Sequence, residues 1–332
     1  MSGSFGRPFL PHHFVRFFLG TALAFFYIDA FLFGAPWVTM FLLSLVGLIS
    51  FLGLYLAVEH GALSAIRWRD VLWGTLSTTL MLILLHSGIQ SVVLAAGLIG
   101  ILGGCLELLF PYDFLKGMSP AFYCGAFVGM TSESVLIDPA FIILAGGVAG
   151  GFWSLLRHSW IGIGGKMGTM SFFAVFVAIG LALLFGRAGP GVRPAALPPV
   201  GMLMILLAST LSPFLTQWLA YGRRWGVVLG SALPSAAVAL VLLFLVHPFH
   251  GFYGRIAAAW MGASFVGMTN LNSQELPAWT LGVMGLCFGL LTLCFEPALL
   301  GIGGDLGATA AVSVFSVLGI RLLYRGLDRH AS

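Results

Sequence analysis

Charge is what this sequence has least of. Of its 332 residues, 15 are Lys or Arg and 11 are Asp or Glu, so 8% carry a charge. A soluble domain carries roughly a quarter. This chain cannot keep its surface in water, which excludes a soluble globular protein. Cysteine is also scarce: Cys105, Cys124, Cys287 and Cys294 all fall in apolar stretches without Cys-x-x-Cys spacing. They read as packing residues, not as a disulfide framework or metal ligands, and no cofactor or metal is expected. The motifs of catalysis are missing too. There is no His-Glu-x-x-His helix, no Gly-x-Ser-x-Gly elbow and no phosphate-binding Gly-Lys-Ser/Thr loop. The loops are too short for a soluble catalytic domain, so an enzyme is not expected. The net charge of +4 is spread one or two basic residues per loop, with no patch for nucleic acid.

Apolar residues are plentiful, at 59% of the chain, with a mean hydropathy of +1.04. Glycine, at 45 residues, is about twice its usual share; in lipid, small residues let helices approach closely. Apolar runs fall at 14-34, 36-58, 70-88, 90-110, 119-133, 139-156, 168-187, 197-220, 225-246, 256-270, 276-298 and 307-324. The expected fold is therefore all-α: a polytopic membrane protein of about twelve transmembrane segments in contact with the lipid bilayer. No cleavable signal is expected, since residues 1-13 lead into an apolar run of full spanning length. With every run a crossing and the N-terminus in the cytoplasm, only Arg187, Arg193 and Arg255 of the 15 basic side chains lie outside. That asymmetry suits the positive-inside rule. It puts both termini in the cytoplasm, in what reads as a bacterial inner (plasma) membrane.

One pentamer occurs twice, as Phe127-Val128-Gly129-Met130-Thr131 and Phe265-Val266-Gly267-Met268-Thr269. Each copy is followed by a glycine-rich stretch, Gly162-Ile163-Gly164-Gly165-Lys166-Met167-Gly168 and Gly301-Ile302-Gly303-Gly304-Asp305-Leu306-Gly307. The two pairs are offset by 138 (265 less 127) and 139 (301 less 162) positions, a near-constant spacing that points to an internal duplication. The division expected is 1-69 for the N-terminus and two extra helices, 70-187 for repeat one, 188-196 for a Pro/Gly linker, and 197-332 for repeat two with the C-terminus. Five crossings per repeat is an odd number, so the copies would be inverted relative to each other. Re-entry of the short segments that end in the Thr blocks would make the number even and remove the inversion.

Polar residues follow each pentamer: Thr131-Ser132-Glu133-Ser134, and Thr269-Asn270-Leu271-Asn272-Ser273-Gln274-Glu275. Gathered where a Gly-containing helix ends, such groups can replace the hydration shell of a solute or ion. The competing expectation is that they cap helices, with Asp138-Pro139 as an N-cap and first helical residue. Substrate contacts are expected at Gly129, Thr131, Ser132, Gly267, Thr269, Asn270 and Asn272. The helix starts at Gly164, Gly165, Gly303 and Gly304 add backbone N–H groups suited to an anion, unless these glycines serve close packing alone. Glu133, Asp305 and Lys166 are the candidates for ion coupling. Of the other ionisable residues in or near apolar runs, Glu107 and Glu296 read as reaching the headgroups, and His86 as a hydrogen-bonded packing residue.

In architecture the chain resembles the inverted-repeat secondary transporters, a class and not one family. The resemblance rests on the paired motifs. The paired glycine stretches are also similar to the Gly-Gly-x-Gly motif found once per half in some organic-anion carriers, with one extra residue between the glycines. The class implies a site near the midplane between the halves. The expected function is secondary transport of a small solute, an anion being the candidate class, as a symporter coupled to H+ or Na+. A channel on the same scaffold and a membrane-embedded enzyme or complex subunit are the alternatives. Assembly into a homo-oligomer is left open.

Overall fold

The structure is a computed structural model and describes residues 64-110, 112-192, 195-245 and 252-331. Ten α-helices account for most of the described residues: α1 (Trp68–His86), α2 (Val92–Leu109), α3 (Met118–Val128), α4 (Pro139–Leu156) and α5 (Lys166–Leu184), then α6 (Pro199–Gln217), α7 (Val227–Leu245), α8 (Phe252–Val266), α9 (Thr280–Leu299) and α10 (Asp305–Ala331). A π-helical turn, Trp218–Gly222, extends α6. The expected helices at 14-34 and 36-58 lie outside the described residues.

Hydropathy suggested twelve crossings, but only five described helices are long and apolar enough to span a membrane: α2, α4, α5, α6 with its extension, and α7. Helix α3 is apolar but has 11 residues, short of the roughly 20 that cross the hydrocarbon. Helix α3 is shorter than the apolar run 119-133, and α8 starts and ends four residues before the run 256-270; they stop at Val128 and Val266, and the Gly-Met-Thr that follows each is not helical. The all-α membrane character is nevertheless plain on α6. It turns Val200, Leu203, Leu207, Leu211 and Phe214 outward and buries Gly201, Ile205, Ala208, Ser209, Ser212 and Thr216. Large aliphatic side chains at helical spacing on the outside, with small and hydroxyl residues inside, are the pattern of a helix packed in lipid.

Helix starts obey local rules. Asp138 Oδ1 accepts from Ala140 N–H at 2.9 Å with Pro139 in the first turn, as the sequence indicates. Glu107 corrects its expectation. Instead of reaching toward headgroups, its carboxylate accepts from Gly117 N–H at 2.8 Å and Ser119 N–H at 2.9 Å and so caps α3. Charge-assisted caps of this kind stabilise by roughly 1–2 kcal/mol. Glu107→Ala is therefore expected to lower thermal stability by about that much, and Glu107→Gln by less, as read by melting in detergent.

The first five helices and the last five pack in the same pattern. Helix α3 contacts α1, α2, α4 and α5; α8 contacts α6, α7, α9 and α10. The pairs α1–α4 and α4–α5 recur as α6–α9 and α9–α10. Contacts between the sets are reciprocal: α2 meets α7, α5 meets α10, and the weaker α2–α8 and α3–α7 contacts mirror each other. Both principal seams are antiparallel. A Cβ on Gly97 would lie 2.8 Å from Ala236 Cβ, one on Gly100 2.6 Å from Ala232 Cβ, and one on Gly104 2.7 Å from Leu229 Cδ2, so numbers rise on α2 as they fall on α7. On the other seam Gly165 faces Ala311, Gly168 faces Gly307 and Gly304 faces Phe172. Glycine is needed here because two helix backbones touch: a Cβ on Gly168 would sit 2.5 Å from Gly307 Cα.

Candidate functional site

The two pentamers meet at the centre of the molecule. Phe127 and Phe265, which hold the same place in the two copies, pack with ring centroids 4.8 Å apart and planes tilted by 55°, and both are buried. From there each chain reaches across to the other half. Thr131 Oγ1 accepts from Gly303 N–H at 3.1 Å, and Thr269 Oγ1 accepts from Gly164 N–H at 3.1 Å. One residue on, Ser132 N–H donates to Gly301 O at 2.8 Å and Asn270 N–H to Gly162 O at 2.9 Å. Each Thr-ended helix thus clasps the glycine-rich loop of the opposite half, four residues before the Gly168–Gly307 crossing. Gly165 and Gly304 adopt left-handed φ values of 82° and 88°, which let the loop turn into α5 or α10 under this clasp. The N–H groups of Gly164 and Gly303, read from sequence as anion donors, are therefore already bonded.

On one side of this centre lies a cavity of about 860 Å³. It runs from the loop after α1, at His86 and Gln90, inward to Asp305 and Leu306 in the first turn of α10. Thr131, Ser132, Glu133 and Ser134 form part of its wall from the first half; Tyr253, Arg255, Thr292, Asp305 and Thr309 come from the second. Leu242, Leu243, Phe295 and Leu299 supply apolar surface. Apolar walls with a few converging polar groups are the usual make-up of a small-molecule site. Glu133 faces His86, with Oε1 3.4 Å from Nε2, and both side chains are about two-thirds exposed, at 66% and 62%. The His86 ring is oriented by Leu82 O, 2.8 Å from Nδ1. Arg255 Nη1 donates to Ala195 O at 2.7 Å, which ties α8 to the segment between the halves. Thr292 Oγ1 has no hydrogen-bond partner among the described residues.

The expected site residues thus divide into two groups. Thr131, Ser132, Glu133 and Asp305 come together on the cavity wall. Gly129 and Gly267 are spent on packing: a Cβ on Gly129 would meet Met81 at 2.6 Å and one on Gly267 would meet Thr216 at 2.8 Å. Thr269 is fully buried in its clasp. Asn270 turns its amide oxygen to Ser273 N–H at 3.1 Å, and Asn272 is exposed, neither on the cavity wall. Lys166, at the place corresponding to Asp305, is buried away from the cavity. Gly164, Gly165, Gly303 and Gly304 are buried at the seam. His86 and Arg255 are the wall residues that sequence reasoning placed elsewhere. His86 was read as packing and Arg255 only as a topology marker, and a lone ionisable residue near an apolar segment was the signal for both.

Among the described residues no cluster of His, Cys, Asp or Glu could hold a metal ion, and the four cysteines are free. No family model, curated protein or solved structure matches the chain.

Proposed function

We propose that the protein is a secondary transporter of a small polar solute, built from two inverted five-helix repeats. Residues 70-187 and 197-324 form the repeats, and 188-196 link them. The antiparallel α2–α7 and α5–α10 seams support the inversion, since corresponding helices run in opposite directions. On this reading α3 and α8 cross as short helices completed by their Gly-Met-Thr extensions. With the two helices expected before residue 64, the count returns to twelve and both termini lie in the cytoplasm.

The observation that carries the reading is the cavity. It is walled by both halves, reaches the central crossing, and holds Asp305 on its lining, whereas the corresponding Lys166 is packed away. A scaffold of two matched halves with a cavity between them suits alternating access. The wall carries Glu133, Asp305, Arg255 and His86, charges of both signs, so it suits a polar solute and does not select for an anion alone. Glu133 and Asp305 are the groups proposed to take up the coupling H+ or Na+.

The test begins with a thermal-shift screen of small anions, amino acids and osmolytes, since a ligand bound only by the folded state raises the melting temperature. The solutes that stabilise the protein are then followed in proteoliposomes. Glu133→Gln and Asp305→Asn are each expected to reduce gradient-driven uptake on the order of tenfold, while exchange of solute at equal concentrations persists; tenfold corresponds to about 1.4 kcal/mol. Undiminished gradient-driven uptake in both would remove the coupling assignment. Uptake no faster than into empty vesicles for every stabilising solute would overturn transport. Turnover far above ~10³ per second would favour a channel, because conformational cycling occurs on μs–ms scales.

A further inference from the structure

The loop opposite the cavity, from Arg157 to Lys166, is short of acceptors in a way the transport reading does not use. Lys166 is 7% exposed. Its ammonium donates to Arg157 O at 2.9 Å and to Ser159 O, and it lies 4.9 Å from the centre of the Trp153 ring. No carboxylate among the described residues forms an ion pair with it. A buried cation without an anion is costly. Beside it, three more polar atoms are buried without a hydrogen-bond partner among the described residues: Arg157 Nη1, Ser159 Oγ and Trp160 Nε1. Ser159 is 1% exposed and Trp160 6%.

These atoms belong to four consecutive positions, at most about 11 Å of chain, and Lys166 is bonded to two of those residues. Guanidinium and indole N–H groups can only donate, and the hydroxyl can donate as well. Among the described residues, unpartnered buried groups also occur at Ser209, Thr216, Trp260 and Thr292, but no other run of them adjoins a buried charge. Trp160 holds a left-handed φ of 54°, a conformation that bulky residues seldom adopt. At the 139-residue offset the second half reverses both charges: Arg157 matches Glu296 and Lys166 matches Asp305.

We infer that Lys166, Arg157, Ser159 and Trp160 form a binding site for a small oxyanion, separate from the cavity and independent of the transport reading. A sulfate- or phosphate-like group supplies the acceptors that Arg157 Nη1, Ser159 Oγ and Trp160 Nε1 lack and neutralises the buried ammonium. The same chemistry is carried by free oxyanions and by the phosphate of an acidic lipid headgroup.

The experiment uses the full chain in phosphatidylcholine nanodiscs. Sulfate and inorganic phosphate are titrated against chloride at matched ionic strength, with melting temperature as the readout. A second arm replaces part of the phosphatidylcholine by phosphatidylglycerol, without added oxyanion. The wild type is expected to show a saturable rise with sulfate or phosphate. Lys166→Met should weaken it on the order of tenfold or more, and Trp160→Phe and Ser159→Ala on the order of three- to tenfold, as for the loss of hydrogen bonds to a charged group. Trp160→Phe keeps the aromatic packing on Phe315, whose ring lies 5.5 Å away, so it separates donor loss from misfolding. Stabilisation by phosphatidylglycerol that the variants lose would support the site and assign the oxyanion to lipid. A wild type unmoved in both arms, or variants that respond like the wild type, would overturn the site.

Discussion

Gly168→Leu is expected to prevent the two halves from closing, with loss of most monodisperse protein after extraction in mild detergent. The α5–α10 seam has no room for a side chain: a single Cβ at position 168 would already lie 2.5 Å from the Gly307 backbone. Backbone cannot swing aside as a side chain does, so the overpacking cost falls at or above the upper end of the usual ~1–3 kcal/mol. Gly307→Leu should be equally damaging, because the contact is shared. Gly180, on the same helix α5, has nothing within 4 Å of where its Cβ would stand. Gly180→Leu is the control and should leave yield and melting temperature close to wild type. A Gly168→Leu protein as stable as that control would mean the halves do not meet as described.

Thr131→Val and Thr269→Val are expected to destabilise by similar amounts, each ~1–3 kcal/mol. Valine keeps the shape but removes the only side-chain acceptor of a buried backbone N–H: Gly303 in one case, Gly164 in the other. An unsatisfied buried donor costs about that much. Thr→Ser at either position retains the oxygen and should recover most of the loss. Melting curves of the four variants check this. The two Thr variants should separate in ligand binding, since Thr131 borders the cavity and Thr269 does not. A loss of stability confined to Thr131→Val would argue that the paired clasp contributes little.

The clasp also shows how far the sequence could be read. The repeated Phe-Val-Gly-Met-Thr and the paired glycine stretches marked the residues that matter and their spacing. They could not say that a hydroxyl of one copy would bond a glycine of the other. Thr, Asn and Gly have the same composition whether they meet a solute or a neighbouring backbone, and only the path of the chain decides which. Glu107 illustrates the point: as an acid near the end of an apolar run it resembled a headgroup contact, but α3 folds back and offers it two unpaired N–H groups. Lys166 and Asp305 open equivalent helices, but one is buried against carbonyls and the other lines the cavity.

By itself the sequence determined that the chain is helical and belongs in lipid, because 8% charge and runs of apolar residues leave no other solvent for its surface. It also paired the motifs, because their near-constant offset of 138 and 139 positions is visible without coordinates. Tertiary structure alone decided which copy of each motif faces open space. Matched motifs packed about a shared centre need not be equally exposed, and that difference depends on contacts between residues more than a hundred positions apart.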